Sequence, residues 1–166
     1  MRELPTIIID TREQLPYAFT GYSTKRATLS TGDYSLEGYE HRIAIERKEK
    51  SDAWGVIGSG RNRFERELKR LAALERAAIV IECSLAQFAC PPPHIEKVDA
   101  RMAVGSFISW MVAYRVPVIW CDSRPYAERI VIRFLAAYLK HVANGHASPA
   151  TRAHPSASGL SQSPGL

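Results

Sequence analysis

The order in which strand and helix patterns follow one another limits the fold of this chain more than any other feature. Four short β-branched runs come first, at Thr6–Asp10, Arg26–Leu29, Asp33–Leu36 and Arg42–Lys48. Beyond them the pattern alternates: a helical period over Asn62–Arg76, a strand over Ala78–Cys83, a helix over Lys97–Tyr114, a strand over Val116–Cys121 and a helix over Tyr126–Lys140. Hairpin-like strands followed by strand–helix alternation imply an α/β fold, a mixed central sheet flanked by helices.

Size and composition narrow this further. At 166 residues and 18.5 kDa the chain suits a single domain with a sizeable core, and 46% hydrophobic with 23% charged residues is the make-up of a globular protein. Charges thin out after Lys140, and the remaining 26 residues hold Pro149, Pro155, Pro164, several Ser and Gly, and only Arg152 among charged side chains. Such a segment offers too little apolar surface to offset its ordering entropy, so residues 1–141 are expected to form the domain and 142–166 a disordered tail.

The three cysteines, Cys83, Cys90 and Cys121, neither make a disulfide framework nor have zinc-ligand spacing. The apolar run Ile7–Ile9 is too short for a signal peptide, and the uncharged, mainly apolar stretch Met102–Tyr114 falls short of the roughly 20 residues that span a bilayer. A soluble intracellular protein, in the cytoplasm, nucleoid or nucleus, is expected. The net charge is 22 − 17 = +5, an excess that suits a polyanionic partner without demanding one.

The residues that carry chemistry lie early in the chain. In Arg42–Lys48 the period of two puts Ile43, Ile45 and Arg47 on one face and Ala44, Glu46 and Lys48 on the other. A carboxylate and an ammonium therefore project together from an otherwise apolar strand, where a lone charge would be costly. A salt bridge at a strand end would explain the pair. Asp33, however, lies 13 residues upstream after Gly32, where a hairpin brings it alongside Glu46. Two carboxylates and a lysine so placed are the minimal kit for metal-dependent phosphodiester hydrolysis: the acids hold a divalent ion and the lysine orients water or stabilises developing charge. Asp10 at the end of the first strand and Asp52, four residues after Lys48, add acidity.

The combined pattern, Asp10-Thr-Arg12-Glu13, Gly32-Asp33-Tyr34 and Glu46-Arg47-Lys48 with Asp52 after three intervening residues, resembles the nuclease domain of the XPF family of structure-specific DNA endonucleases. The resemblance runs from about Thr6 to Lys140. It implies a restriction-endonuclease-like α/β/α sandwich, with Asp33 and Glu46 as metal ligands beside the main-chain carbonyl of Arg47. It also implies that Lys48 is catalytic and that Asp10, as a further metal ligand, and Asp52 complete the acidic site. Members of that family usually carry tandem helix-hairpin-helix domains after the nuclease domain. None is visible in this sequence, so a separate DNA-binding partner is conceivable.

Phe64, Leu68 and Leu71 form a core stripe on the Asn62–Arg76 helix, while Arg63, Arg66 and Arg70 gather on another face. Beside a nuclease site these arginines read as a phosphate rail, to which Arg12 and Arg61 are added. The stretch Gly55-Val-Ile-Gly58-Ser-Gly60-Arg61 lacks the Gly-Lys-Ser/Thr ending of a nucleotide-binding loop and reads as a connector. No histidine has metal-ligand spacing.

Two late helices are more apolar than one core needs. Met102–Tyr114 has no charge on any face, and Arg129, Arg133 and Lys140 occupy one strip of the last helix. A protein interface is expected there, and the family resemblance implies a homodimer through residues 97–114 and 126–140. The leading expectation is therefore a Mg²⁺-dependent endonuclease acting on branched, forked or flapped DNA, with Mn²⁺ an alternative ion and roles in DNA repair or recombination. Two others stay open: a non-cleaving DNA-binding or scaffold subunit, and a protein-interaction domain whose acidic cluster is fortuitous.

Overall fold

The computed structural model describes residues 5–93, 95 and 99–145. One six-stranded mixed sheet forms the middle layer, in the order β2-β1-β3-β4-β5-β6. Its strands are β1 (Ile7–Asp10), β2 (Thr24–Ala27), β3 (Tyr34–Leu36), β4 (Ile43–Lys48), β5 (Arg76–Ile81) and β6 (Val118–Trp120). The helices are α1 (Lys50–Gly55), α2 (Arg61–Ala72), α3 (Leu85–Phe88), α4 (Ala100–Tyr114) and α5 (Arg124–Ala143).

Strand alternation divides the core in two. Ala44 of β4 and Ile79 and Ile81 of β5 point to one face, where they meet Trp54, Phe64, Leu68, Phe107 and Trp110 from α1, α2 and α4. Ile43, Ile45 and Val80 point to the other face and meet Ala127, Val131, Leu135 and Tyr138 of α5. Both faces of β4 are thus covered, which is why its apolar residues run without a break. This is the expected α/β/α sandwich.

Local departures have physical causes. The first strands do not form a simple series of hairpins: β1 pairs with β2 in parallel and with β3 antiparallel, so β2 is an edge strand. The second helix stops at Ala72, because Arg76 already pairs with Ile43 in the parallel β4–β5 ladder. Helix α1 has six residues, too few to display a helical period. The last helix continues past Lys140 to Ala143, and the expected tail from residue 146 onward lies outside the described residues.

Candidate active site

The hairpin between β3 and β4 builds the centre of the site. Tyr34 pairs with Ile45, and the Asp33 N–H donates to the Ile45 carbonyl at 2.8 Å, so Asp33 lies beside Glu46. The bend that leads into β3 requires glycine. Gly32 has φ +76°, and a Cβ there would lie 2.9 Å from Ala44 Cβ and 3.2 Å from the Ile45 oxygen. Glu67 of α2 secures the same bend by accepting the Thr31 hydroxyl and the Gly32 N–H.

An open cleft of about 800 Å³ lies over this hairpin. Asp33, Glu46 and Lys48 line it, with Asp52 on the exposed first turn of α1 and Arg63 on α2 at its walls. Lys48 Nζ donates to Glu46 Oε1 at 2.9 Å and stands 4.8 Å from the centre of the Phe64 ring. Burial, and secondarily the neighbouring Glu46, pushes the Asp33 carboxyl up to about 8, against a hydrogen bond from the Arg47 N–H at 2.6 Å. Glu46 is also raised, chiefly by burial, although Lys48 pulls it down. Two acids that resist ionising together beside one ammonium form a site short of positive charge.

The donor set suits a hard divalent cation. Asp33 and Glu46 offer carboxylate oxygens, the Arg47 carbonyl follows Glu46 on the same strand, and neither thiol nor imidazole lines the cleft. Among the described residues no three His, Cys, Asp or Glu side chains stand in a metal-binding array. Any further positions on an ion would fall to water and phosphate oxygens.

Asp10 does something other than line the cleft. Its Oδ1 accepts the Arg12 N–H at 2.8 Å and Nε at 2.7 Å, and its Oδ2 accepts Arg12 Nη2 at 3.1 Å and the Leu29 N–H at 2.7 Å. Burial acts to raise its pKa, yet these donors outweigh it and hold the carboxyl below the usual range. With every strong acceptor direction occupied, Asp10 is better placed to aim Arg12 at the cleft than to bind an ion. Arg12 stays 66% exposed.

The expected arginine rail is uneven. Arg63 and Arg66 are exposed, and Arg63 reaches the cleft. Arg70 pairs with Glu67, and Arg61 pairs with Glu65 at 3.2 Å while lying over the Trp110 ring. Arg47 borders the cleft, but its side chain follows the strand's period of two, is only 7% exposed, and pairs with Glu82.

Sequence reasoning left out Glu13 and Glu67 as site residues. Glu13 lines the cleft, lies 3.6 Å from Arg47 Nη1, and adds to the charge that raises Asp33 and Glu46. Its position three residues after Asp10 was a usable signal. Nothing local marks Glu67, which acts across 35 residues.

On the far sides of the sheet, Leu135 is wholly buried, whereas Met102, Ile108 and Val112 of α4 and Tyr126 of α5 are exposed. The apolar excess expected of the late helices therefore lies mainly on α4. No described helix is long and apolar enough to cross a membrane.

Comparison with known proteins agrees with this fold. The ERCC4 domain model matches residues 9–134, which include every cleft residue named above. Among solved structures, XPF from Aeropyrum pernix superposes with a TM-score of 0.64 at 21% identity, over 86% of this chain and 69% of that one. The same archaeal protein in complex with DNA gives 0.62 at 22% identity, over 83% and 66%. No curated protein matches the chain.

Proposed function

The chain belongs to the ERCC4 domain family, and from that premise we propose that it is a divalent-metal-dependent endonuclease of branched, forked or flapped DNA. The observation that carries this reading is the pairing of two half-buried carboxylates, Asp33 just before β3 and Glu46 on the adjacent β4, at an open cleft with Lys48 beside them. Asp33, Glu46 and the Arg47 carbonyl would hold Mg²⁺ or Mn²⁺. A cation bound there supplies a Lewis acid to the scissile phosphate.

The chain's own groups do the rest. Lys48 gives one of its three donors to Glu46, which leaves two for a phosphate oxygen or for the attacking water. Arg12, oriented by Asp10, and Arg63 flank the acids as phosphate contacts, and Arg66 extends the track along α2. Asp52 lies at the cleft mouth, where it can accept a proton from solvent-side water. A second copy of the chain is the proposed cover for Met102, Ile108 and Val112, and a helix-hairpin-helix protein is a proposed separate partner.

A labelled fork or flap duplex incubated with Mg²⁺, and in parallel with EDTA, tests the reading. Cleavage only in Mg²⁺ is expected. Tight binding without metal-dependent cleavage would overturn it in favour of a non-cleaving DNA-binding subunit.

A further inference from the structure

Beneath the cleft, on the α5 face of the sheet, lies a compact ionic cluster that the proposed chemistry does not use. Glu82, just after β5, accepts Arg47 Nε at 2.7 Å and Nη2 at 3.1 Å on one side and Arg124 Nη1 at 2.9 Å on the other. Arg124, the first residue of α5, also donates Nη2 to the carbonyls of Leu15 at 2.6 Å and Pro16 at 2.9 Å. The Glu13 carboxylate accepts the Leu15 N–H at 2.7 Å. Beside them the Tyr17 ring lies 4.8 Å from the Arg124 guanidinium and 5.8 Å from that of Arg47.

Two carboxylates and two guanidinium groups balance in charge here, yet Glu82 is only 8% exposed. Bringing such a group together costs desolvation that an apolar cluster of the same shape would avoid, so stability alone is a weak reason for it. What the cluster specifies is position. It ties the segment carrying Arg12 and Glu13 to the end of β4, and it does so with planar, multidentate donors that tolerate little displacement.

We infer that Arg124 and Glu82 are positioning residues: through Arg47 and the Leu15–Pro16 carbonyls they hold segment 13–16 in the register that sets Glu13 and Arg12 at the cleft wall. The inference rests on the nuclease reading above. Neither residue touches the DNA or the ion; both act through the segment they hold.

Single-turnover cleavage of a forked duplex in Mg²⁺ and amide hydrogen exchange of residues 13–17 together test it, on wild type, R124Q, R124K and R42Q. R124Q should slow cleavage by about 10-fold or more, the scale of lost outer-shell support, with DNA affinity in EDTA within about 2-fold of wild type. Exchange in 13–17 should accelerate. R124K, which keeps the charge and fewer donors, should fall between the two. R42Q breaks the Arg42–Glu75 pair, of matching 2.7 Å geometry, at the opposite end of β4. It should cut at the wild-type rate. If R124Q does not fold, R124K carries the same comparison. Unchanged exchange in R124Q, or faster exchange with an unchanged rate, overturns the inference. A wild-type chain that cuts nothing overturns the nuclease reading instead, and the brace is then judged on exchange alone.

Discussion

The Asp33 carboxylate accepts the main-chain N–H of Arg47 at 2.6 Å, so the acid on one strand is clamped to the strand that bears Glu46 and Lys48. The hydrogen bond holds the two acids close in spite of their repulsion. It also explains how a carboxyl pushed up to about 8 keeps a defined place when no cation is present.

Removing either acid should therefore abolish cleavage without unfolding the protein. Asp33→Ala and Glu46→Ala are expected to lose stabilisation by Mg²⁺ in thermal melts, together with all metal-dependent cutting. Lys48→Ala should keep that stabilisation and lose turnover. A Lys48→Ala protein that cuts at the wild-type rate would remove the lysine from the mechanism.

Asp10 should behave differently. Asp10→Ala strips the Leu29 N–H and the Arg12 fork of their acceptor, at a cost of about 1–3 kcal/mol, while Mg²⁺ stabilisation persists. Its depressed pKa sets the pH dependence. The stability it contributes is fully present above the unfolded value of about 3.8 and is lost as pH falls through the lower folded value. Urea melts of wild type and Asp10→Ala should differ most above the unfolded value of about 3.8 and draw together as pH falls through the lower folded value. Loss of Mg²⁺ stabilisation in Asp10→Ala would restore this residue as a ligand.

The arginines of α2 should not contribute equally to DNA affinity. Arg70 is already paired with Glu67. A double Arg63→Ala, Arg66→Ala variant should therefore flatten the dependence of log affinity on log salt by nearly as much as a triple variant that includes Arg70. The slope should change by up to about 0.9 for each phosphate that is no longer neutralised. Fluorescence anisotropy at several salt concentrations checks this. An unchanged slope would make this face merely solvated.

Assembly can be separated from folding by choice of residue. Leu135 is fully buried, so Leu135→Glu should yield misfolded protein, whereas Val112, 76% exposed on α4, is free to carry a charge. Val112→Glu is expected to fold and to sediment as a monomer where wild type is a dimer. A wild type that is monomeric at micromolar concentration would refute the homodimer.

What could be read in the sequence was local. The alternation in Arg42–Lys48 placed Arg47 opposite Glu46 and Lys48, and Gly32-Asp33 marked the hairpin that returns Asp33 to Glu46, because both features are set by neighbours on one or two strands. The parallel pairing of β1 with β2 was hidden, since it depends on a crossover and not on a turn. Glu82 and Arg124 were hidden for the same reason, as their partners lie 35 to 109 positions away. The occupation of Asp10 by Arg12 spans two residues, yet an acid followed by a nearby arginine says nothing about which one faces the cleft.

The link between α5 and the cleft has a temporal side. Arg124 holds the Leu15 carbonyl, and the Glu128 carboxylate accepts the Phe19 N–H at 2.6 Å, each across 109 positions of chain. During synthesis at about 5–20 residues per second, the segment beside the cleft waits roughly 5–20 s for the residues that will hold it. The acids on β3 and β4 emerge long before the brace does, so a nascent chain can bring its carboxylates together well ahead of a finished cleft wall. On the nuclease reading, the full rate of cutting would then be reached only once α5 has been made and has packed against the sheet.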